Sequence, residues 1–171
     1  MSRQNIAIIR NAAPYDFGGG ERFPVFLAET LKYQGFSPTI ISRSKKLIEF
    51  TKENQVPTVK GWWWSKQQWS GVNNLLIPIY AIWQCILFLY YVSLFSKLKV
   101  GVVHIQSKDD FIAATHAAKA LNIRVVWTDH ADLKHIWRNL SIWYKNPIGK
   151  MVYRAALRAD AITVVSNSEL Q

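Results

Sequence analysis

The stretch Asp16-Phe17-Gly18-Gly19-Gly20-Glu21-Arg22 decides how this chain is read. Ahead of it, Asn5-Ile6-Ala7-Ile8-Ile9-Arg10 is a short apolar run rich in β-branched residues, the pattern of a buried strand. Behind it, Phe23, Phe26, Leu27, Thr30 and Leu31 recur at helical spacing, and Gly35 stands where a C-terminal cap belongs. Pro24 falls in the first helical turn, where a missing N–H costs little. The glycines therefore turn a first strand into a first helix. Two readings of them stand side by side. They make a tight turn and nothing more, or they let an anion approach the free N–H groups and positive dipole end of the helix.

Composition narrows the classes. Half of the 171 residues are apolar and 19% are charged, which is a globular chain of one-domain length and not a disordered one. Cys85 is the single cysteine, so no internal disulfide forms and a reducing compartment suits the chain. Met1-Ser2-Arg3-Gln4-Asn5 runs straight into the first strand, so no secretory leader is expected. A net charge of +10 favours an acidic partner, whether phosphate-bearing ligand, anionic membrane or nucleic acid.

Outward from the glycines, residues 38–42 form a second strand, and Arg43, Lys45 and Lys46 read as a small basic loop. A dinucleotide fold places Asp or Glu here for the ribose hydroxyls, and requires a third glycine that Gly18-Gly19-Gly20-Glu21-Arg22-Phe23 lacks. A short strand is expected at residues 56–59. Four tryptophans follow, Trp62, Trp63, Trp64 and Trp69, with Lys60 and Lys66 beside them. No Asp, Glu, Lys or Arg then occurs from Gln67 through Ser96.

Residues 75–95 are long enough to span a bilayer, but a span would part the first two strands from all later ones, which must share one sheet. Two placements remain: a helix buried on the sheet, or one lying in a membrane interface with tryptophans at headgroup level and Lys97 and Lys99 near phosphates. The favoured expectation combines them, with one face on the sheet and one end in the membrane.

The second half alternates strictly. Residues 100–105 are a strand, Asp109 or Asp110 caps a helix of small residues, and residues 123–128 are another strand. A polar loop carries Asp129, His130, Asp132 and His135, a helix starts at Pro147, and residues 161–165 close the pattern. The fold class is therefore α/β, a Rossmann-like parallel sheet flanked by helices. Ligands in such sheets bind beyond the carboxyl ends of the strands. That edge collects the Gly18–Gly20 turn, Gln106, Ser107, Asp129, His130 and Ser166, which favours a ligand site over a bare turn.

The glycine turn into a helix ending near Gly35, Val102-Val103-His104-Ile105-Gln106, Thr128-Asp129-His130 and Arg158-Ala159-Asp160-Ala161-Ile162-Thr163-Val164-Val165-Ser166 together resemble retaining GT-B glycosyltransferases of family 4. The resemblance covers nearly the whole chain and is closest to that family's N-terminal, acceptor-side domain, one half of a GT-B fold. It implies that Gly18, Gly19 and Gly20, with Glu21 opening the helix, bind a donor diphosphate, and that His130 is catalytic, close to the transferred sugar. Asp16, Gln106, Asp129 and Ser166 line the acceptor cleft, and Trp62, Trp63, Trp64 and Trp69 meet the membrane. His104 reads as a hydrogen-bonded core histidine, and His116 and His135 as structural or surface residues. No metal site and no cofactor are expected, the donor being a substrate.

The family's second domain, with its paired glutamates and basic residues, has no counterpart in residues 1–171, so the expectation is a single N-terminal domain with a hydrophobic, membrane-associating insertion at about 61–96. The implied function is half of a hexosyltransferase-type enzyme, inactive until completed by a C-terminal GT-B domain in the same or a separate chain. It uses a nucleotide sugar and a lipid-linked or glycan acceptor, serves cell-envelope polysaccharide synthesis, and sits in the cytoplasm on the inner face of the membrane. Alternatives are a non-catalytic membrane-docking, acceptor-binding subunit and an NADP-linked oxidoreductase. Nucleic acid ranks last, because the basic residues are scattered and the aromatics lie in an apolar run.

Overall fold

The computed structural model describes residues 4–11, 18–63, 77–129 and 147–164. Strand β1 (Asn5–Ile9) leads to helix α1 (Gly19–Tyr33), β2 (Ser37–Ser42), α2 (Lys45–Glu53), β3 (Thr58–Lys60) and α3 (Ile77–Lys97). Then come β4 (Val100–Ile105), α4 (Phe111–Ala120), β5 (Arg124–Asp129), α5 (Pro147–Ala156) and β6 (Ala161–Val164). The strands make one sheet in the order β3-β2-β1-β4-β5-β6, every pairing parallel. This is the Rossmann-like α/β architecture expected from the alternation.

Side-chain alternation along β1 sorts the two layers. Ile6 and Ile8 face α1 and α2, packing with Val25, Ala28 and Leu47. Ala7 and Ile9 face the other way, onto the layer of α3 and α4 with Val103, Ile105, Tyr91 and Phe95. Winding outward from β1 on opposite faces puts a topological switch point at the carboxyl ends of β1 and β4.

Local chemistry explains the elements. Helix α1 ends in a Schellman turn: the Phe36 N–H donates to the Leu31 carbonyl at 3.0 Å and the Gly35 N–H to Lys32 at 3.1 Å. Gly35 takes φ +88°, which favours a residue without Cβ. The buried face of α1 is Pro24, Val25 and Ala28, one position off the Phe23–Phe26 stripe that the spacing suggests. Phe26 turns outward and meets Phe50 of α2 edge-on at 6.4 Å. Of the expected basic loop, Arg43 lies in the connection after β2, but Lys45 and Lys46 already begin α2, whose N-cap Ser44 accepts from the Leu47 N–H at 3.5 Å.

Helix α3 is long and apolar enough to cross a membrane, by length and composition. It nevertheless links β3 to β4 within one sheet, and Gln84, Leu87, Tyr91 and Phe95 form a buried stripe along it. Its other side leaves Ile79, Ile82, Ile86 and Leu89 exposed.

Trp63 departs from the membrane-contact expectation. It is only 2% exposed, packed at 5.3 Å from Tyr90 and 5.5 Å from Tyr91 inside the core. Close packing brought this about: the indole lies directly over Gly61, where a Cβ would come 2.1 Å from the ring. Trp62 is 60% exposed and stands edge-on to Trp83 and Tyr90. Trp64 and Trp69 lie outside the described residues.

Gly61→Ala is expected to push Trp63 off its seat. Overpacking of this kind costs about 1–3 kcal/mol, which should lower the melting temperature by roughly 3–10 °C and red-shift tryptophan emission; an unchanged melt would refute the contact.

Candidate functional site

The switch point opens between Arg10-Asn11 after β1 and Gln106-Ser107 after β4, with the first turn of α1 above it. Asn11 ties this edge together. Its backbone N–H donates to the Ser107 hydroxyl at 2.6 Å, its side-chain amide donates to Asp110 at 2.7 Å, and its amide oxygen accepts from the Arg43 N–H at 2.9 Å. The Tyr91 hydroxyl, reaching in from α3, donates to the other Asp110 oxygen at 2.8 Å. The end of β1 and the middle of α3 thus meet on one buried carboxyl, and through Asn11 the ends of β2 and β4 are tied to it. Asp110 was a candidate side-chain cap for α4, yet it makes no capping hydrogen bond, its oxygens being taken by Asn11 and Tyr91.

Asp110 is fully buried, and burial pushes its carboxyl up to about 7; the charge of Asp109 adds to this, against the Tyr91 and Asn11 hydrogen bonds and the charge of Arg43. Burial, and then the charges of Asp109 and Asp110, likewise raise the Tyr80 hydroxyl far above its ordinary value. Arg43 stands 3.9 Å from the Asp109 carboxylate, a loose ion pair across the same edge.

The glycine turn is held by a second set of contacts. Glu21 folds back so that one carboxylate oxygen accepts the Gly18 N–H at 3.0 Å, while the other accepts from the Arg10 guanidinium at 2.7 Å. Arg10 also donates to the Gln106 carbonyl at 2.9 Å. Burial alone would raise the Glu21 pKa, but the Gly18 hydrogen bond and Arg10 outweigh it and hold the carboxyl below its usual range. This corrects part of the sequence reading. The Gly18 N–H is already taken, and the anionic Glu21 side chain braces the turn instead of facing a diphosphate. Gly19 and Gly20 keep the first-turn N–H groups that no helix can satisfy internally. At Gly20 a Cβ would come 3.3 Å from the Arg10 guanidinium, so the missing side chain lets this cation lie across the helix mouth.

Gln106 sits where the sequence places it, beside the cleft, with only 3% exposure. Neither polar atom of its amide has a hydrogen-bond partner among the described residues. Asp129 ends β5 on the same edge; nothing described concerns its side chain. Asp16, His130 and Ser166 lie outside the described residues. His104 is a hydrogen-bonded sheet histidine: its Nε2 meets the Thr128 hydroxyl at 2.5 Å, and Thr128 in turn bonds Thr163. His116 is half-buried on α4, where Arg158 donates to its ring nitrogen at 3.0 Å. Among the described residues, no three His, Cys, Asp or Glu side chains gather as a metal site.

Sequence reasoning missed Arg10, Asn11, Tyr91 and Arg43. Arg10 carries a usable signal, a lone cation ending an apolar strand just ahead of the glycines. Asn11 and Tyr91 carry none, because their partners lie 99 and 19 residues away.

The family model described as Glycosyltransferase Family 4 matches residues 17–171. No curated protein matches the chain. Among solved structures, a glycosyltransferase from Rickettsia africae is 21% identical with a TM-score of 0.57, covering 75% of this chain and 30% of that one. A UDP-N-acetylglucosamine 2-epimerase from Listeria monocytogenes is 13% identical with a TM-score of 0.64, covering 98% and 40%. LpCGTa, solved in complex with UDP, is 12% identical with a TM-score of 0.60, covering 96% and 46%. At such identities the likeness is one of fold, and the chain spans less than half the length of each of these structures.

The buried carboxylate gives a pH signature. A carboxyl whose pKa is higher folded than unfolded stabilises the protein below its unfolded value, and that contribution fades as pH rises through about 7. Denaturant titrations from pH 4 to 8 should show Asp110→Asn losing this decline. The wild-type-minus-variant stability should drop on the order of 2–4 kcal/mol across the range; parallel curves would show that Asp110 titrates normally.

Proposed function

The chain belongs to glycosyltransferase family 4, and from that premise we propose that it is the acceptor-side half of a retaining enzyme that moves a sugar from a nucleotide donor to a membrane-associated acceptor. The observation that carries this reading is the cleft at the β1/β4 switch point, roofed by a glycine-opened helix with Arg10 across its mouth. Charge develops on the departing diphosphate as the glycosidic bond breaks, and groups already aimed at that position stabilise it without reorganising. Here the Gly19 and Gly20 N–H groups and the α1 dipole would meet the diphosphate from one side, with Glu21 and Arg10 holding the turn in shape. His130 would orient the sugar at the end of β5, and Gln106 with Asp16, Asp129 and Ser166 would line the acceptor side. The opposite wall, with cations for the diphosphate and most of the nucleotide contacts, would come from a C-terminal GT-B domain in the same or a separate chain.

The lipid-linked or polysaccharide nature of the acceptor, a role in the cell envelope and a place on the inner face of the membrane belong to the same proposal. The exposed isoleucines of α3, exposed Trp62 and the +10 charge support them. The NADP alternative is the weaker reading: the third glycine of a dinucleotide loop is missing, and the Arg43 guanidinium stands 3.9 Å from the Asp109 carboxylate.

The test is transfer of labelled sugar from a panel of nucleotide sugars to a membrane lipid extract. The 171-residue protein alone should give no product, and the protein completed by a donor-binding GT-B domain should turn over. His130→Ala in the completed enzyme should then cost about 10²–10⁴-fold in kcat with binding little changed. Turnover by the chain alone would overturn the half-site reading, and an unimpaired His130→Ala would remove that residue from the chemistry.

A further inference from the structure

Helices α3 and α4 and the region of α5 line a cavity of about 680 Å³. That lies within the range of small-molecule sites, roughly 300–1,000 Å³. Its walls are largely apolar, with Ala81 and Phe88 from α3, Ile112 and Ala113 from α4, Met151 from α5 and Leu157 just after it, and Gln84 of α3 lines it too. Arg154 and Arg158 supply its charge, and no Asp or Glu is found among the described residues that line it. Arg158 is fixed in place by donating to His116, whose own pKa is lowered by burial and by that guanidinium, so the imidazole stays a neutral acceptor near pH 7. On the same helix α3, Ile82 and Leu89 are 63% and 65% exposed, and Leu157, which lines the groove just past α5, is 69% exposed.

A largely apolar slot with two arginines and, among the described residues, no carboxylate is complementary to an amphiphile with an anionic head. We propose that this groove takes one acyl chain of an anionic membrane phospholipid, its phosphate paired with Arg154 and Arg158, while the exposed face of α3 rests against neighbouring chains. The arginines set the preference for negative headgroups, and the apolar walls supply the driving force as water leaves them. The domain thereby docks by a specific lipid contact in addition to general attraction of its positive charge. This inference shares with the proposed transferase only the placement at a bilayer. Its test contains no sugar, so an absence of transfer activity leaves it standing.

Cys85 lines the groove, is exposed, and is the chain's single cysteine, which makes it a built-in reporter. Its alkylation by a water-soluble maleimide is followed on the unmodified protein, first with dihexanoyl-phosphatidylglycerol kept below its micelle concentration, then with phosphatidylglycerol vesicles. The expected result is rapid alkylation without lipid, and at least tenfold protection by both forms. Dihexanoyl-phosphatidylcholine should need a concentration about ten- to thirtyfold higher, and the double variant Arg154→Gln/Arg158→Gln should abolish that preference without changing the melting temperature appreciably.

Protection by vesicles but not by monomers would overturn the groove in favour of simple adsorption of α3. Equal protection by the two headgroups would overturn the role of the arginines. A thiol unreactive without lipid would show the groove already filled by the protein itself, which would also overturn the proposal.

Discussion

The carboxylate of Asp110 is buried completely and answered from two directions, by Asn11 at the end of β1 and by Tyr91 in the middle of α3. The arrangement at the carboxyl edge of the sheet depends on that pairing. A buried polar group is tolerable only when its hydrogen bonds are made, so this cluster forms in one arrangement or not at all. Through Asn11 the same arrangement fixes Ser107 after β4 and Arg43 after β2. The switch point is therefore held open by hydrogen bonds that are satisfied within the wall, while among the described residues the Gln106 amide, beside the helix mouth, makes none.

That division gives one chain of moderate size both a rigid frame and an edge with polar groups to spare. The parallel sheet is buried between two helical layers, each packed against one face of β1. Only the strand ends are free to vary in chemistry. Arg10 and Glu21 illustrate the economy. The pair closes the glycine turn from inside, so the helix dipole points at the cleft from a backbone that is already organised before any ligand arrives.

Helix α3 serves both regions with different faces. Gln84, Leu87, Tyr91 and Phe95 lock it to the core, and Tyr91 extends that lock to the switch point. The isoleucines on its far side are exposed, and it shares a groove with α4 and α5. An uninterrupted apolar segment here reads as two half-surfaces on one rod, one satisfied by the protein and one left for an apolar environment.

Much of this was legible in the amino-acid order. Short β-branched runs alternating with helical spacing required a parallel α/β sheet. Gly35 marked the end of α1, and Gly18-Gly19-Gly20 marked the turn that faces the cleft, because these signals are local and each concerns the backbone of its own neighbourhood. Even the exclusion of a membrane span followed from connectivity. What the order of residues left open were matters of partner and facing. Trp63 and Trp62 are chemically identical neighbours, yet one is core and the other surface, since only the position of Gly61 against Tyr90 and Tyr91 distinguishes them. Asp110 looked like a helix cap until Asn11 and Tyr91 arrived from other elements. Glu21 looked like part of an anion site until Arg10 claimed it. Local propensity settles where helices and strands run, but the role of a polar side chain is settled by whichever distant group shares its burial, and that is decided only when the chain closes on itself.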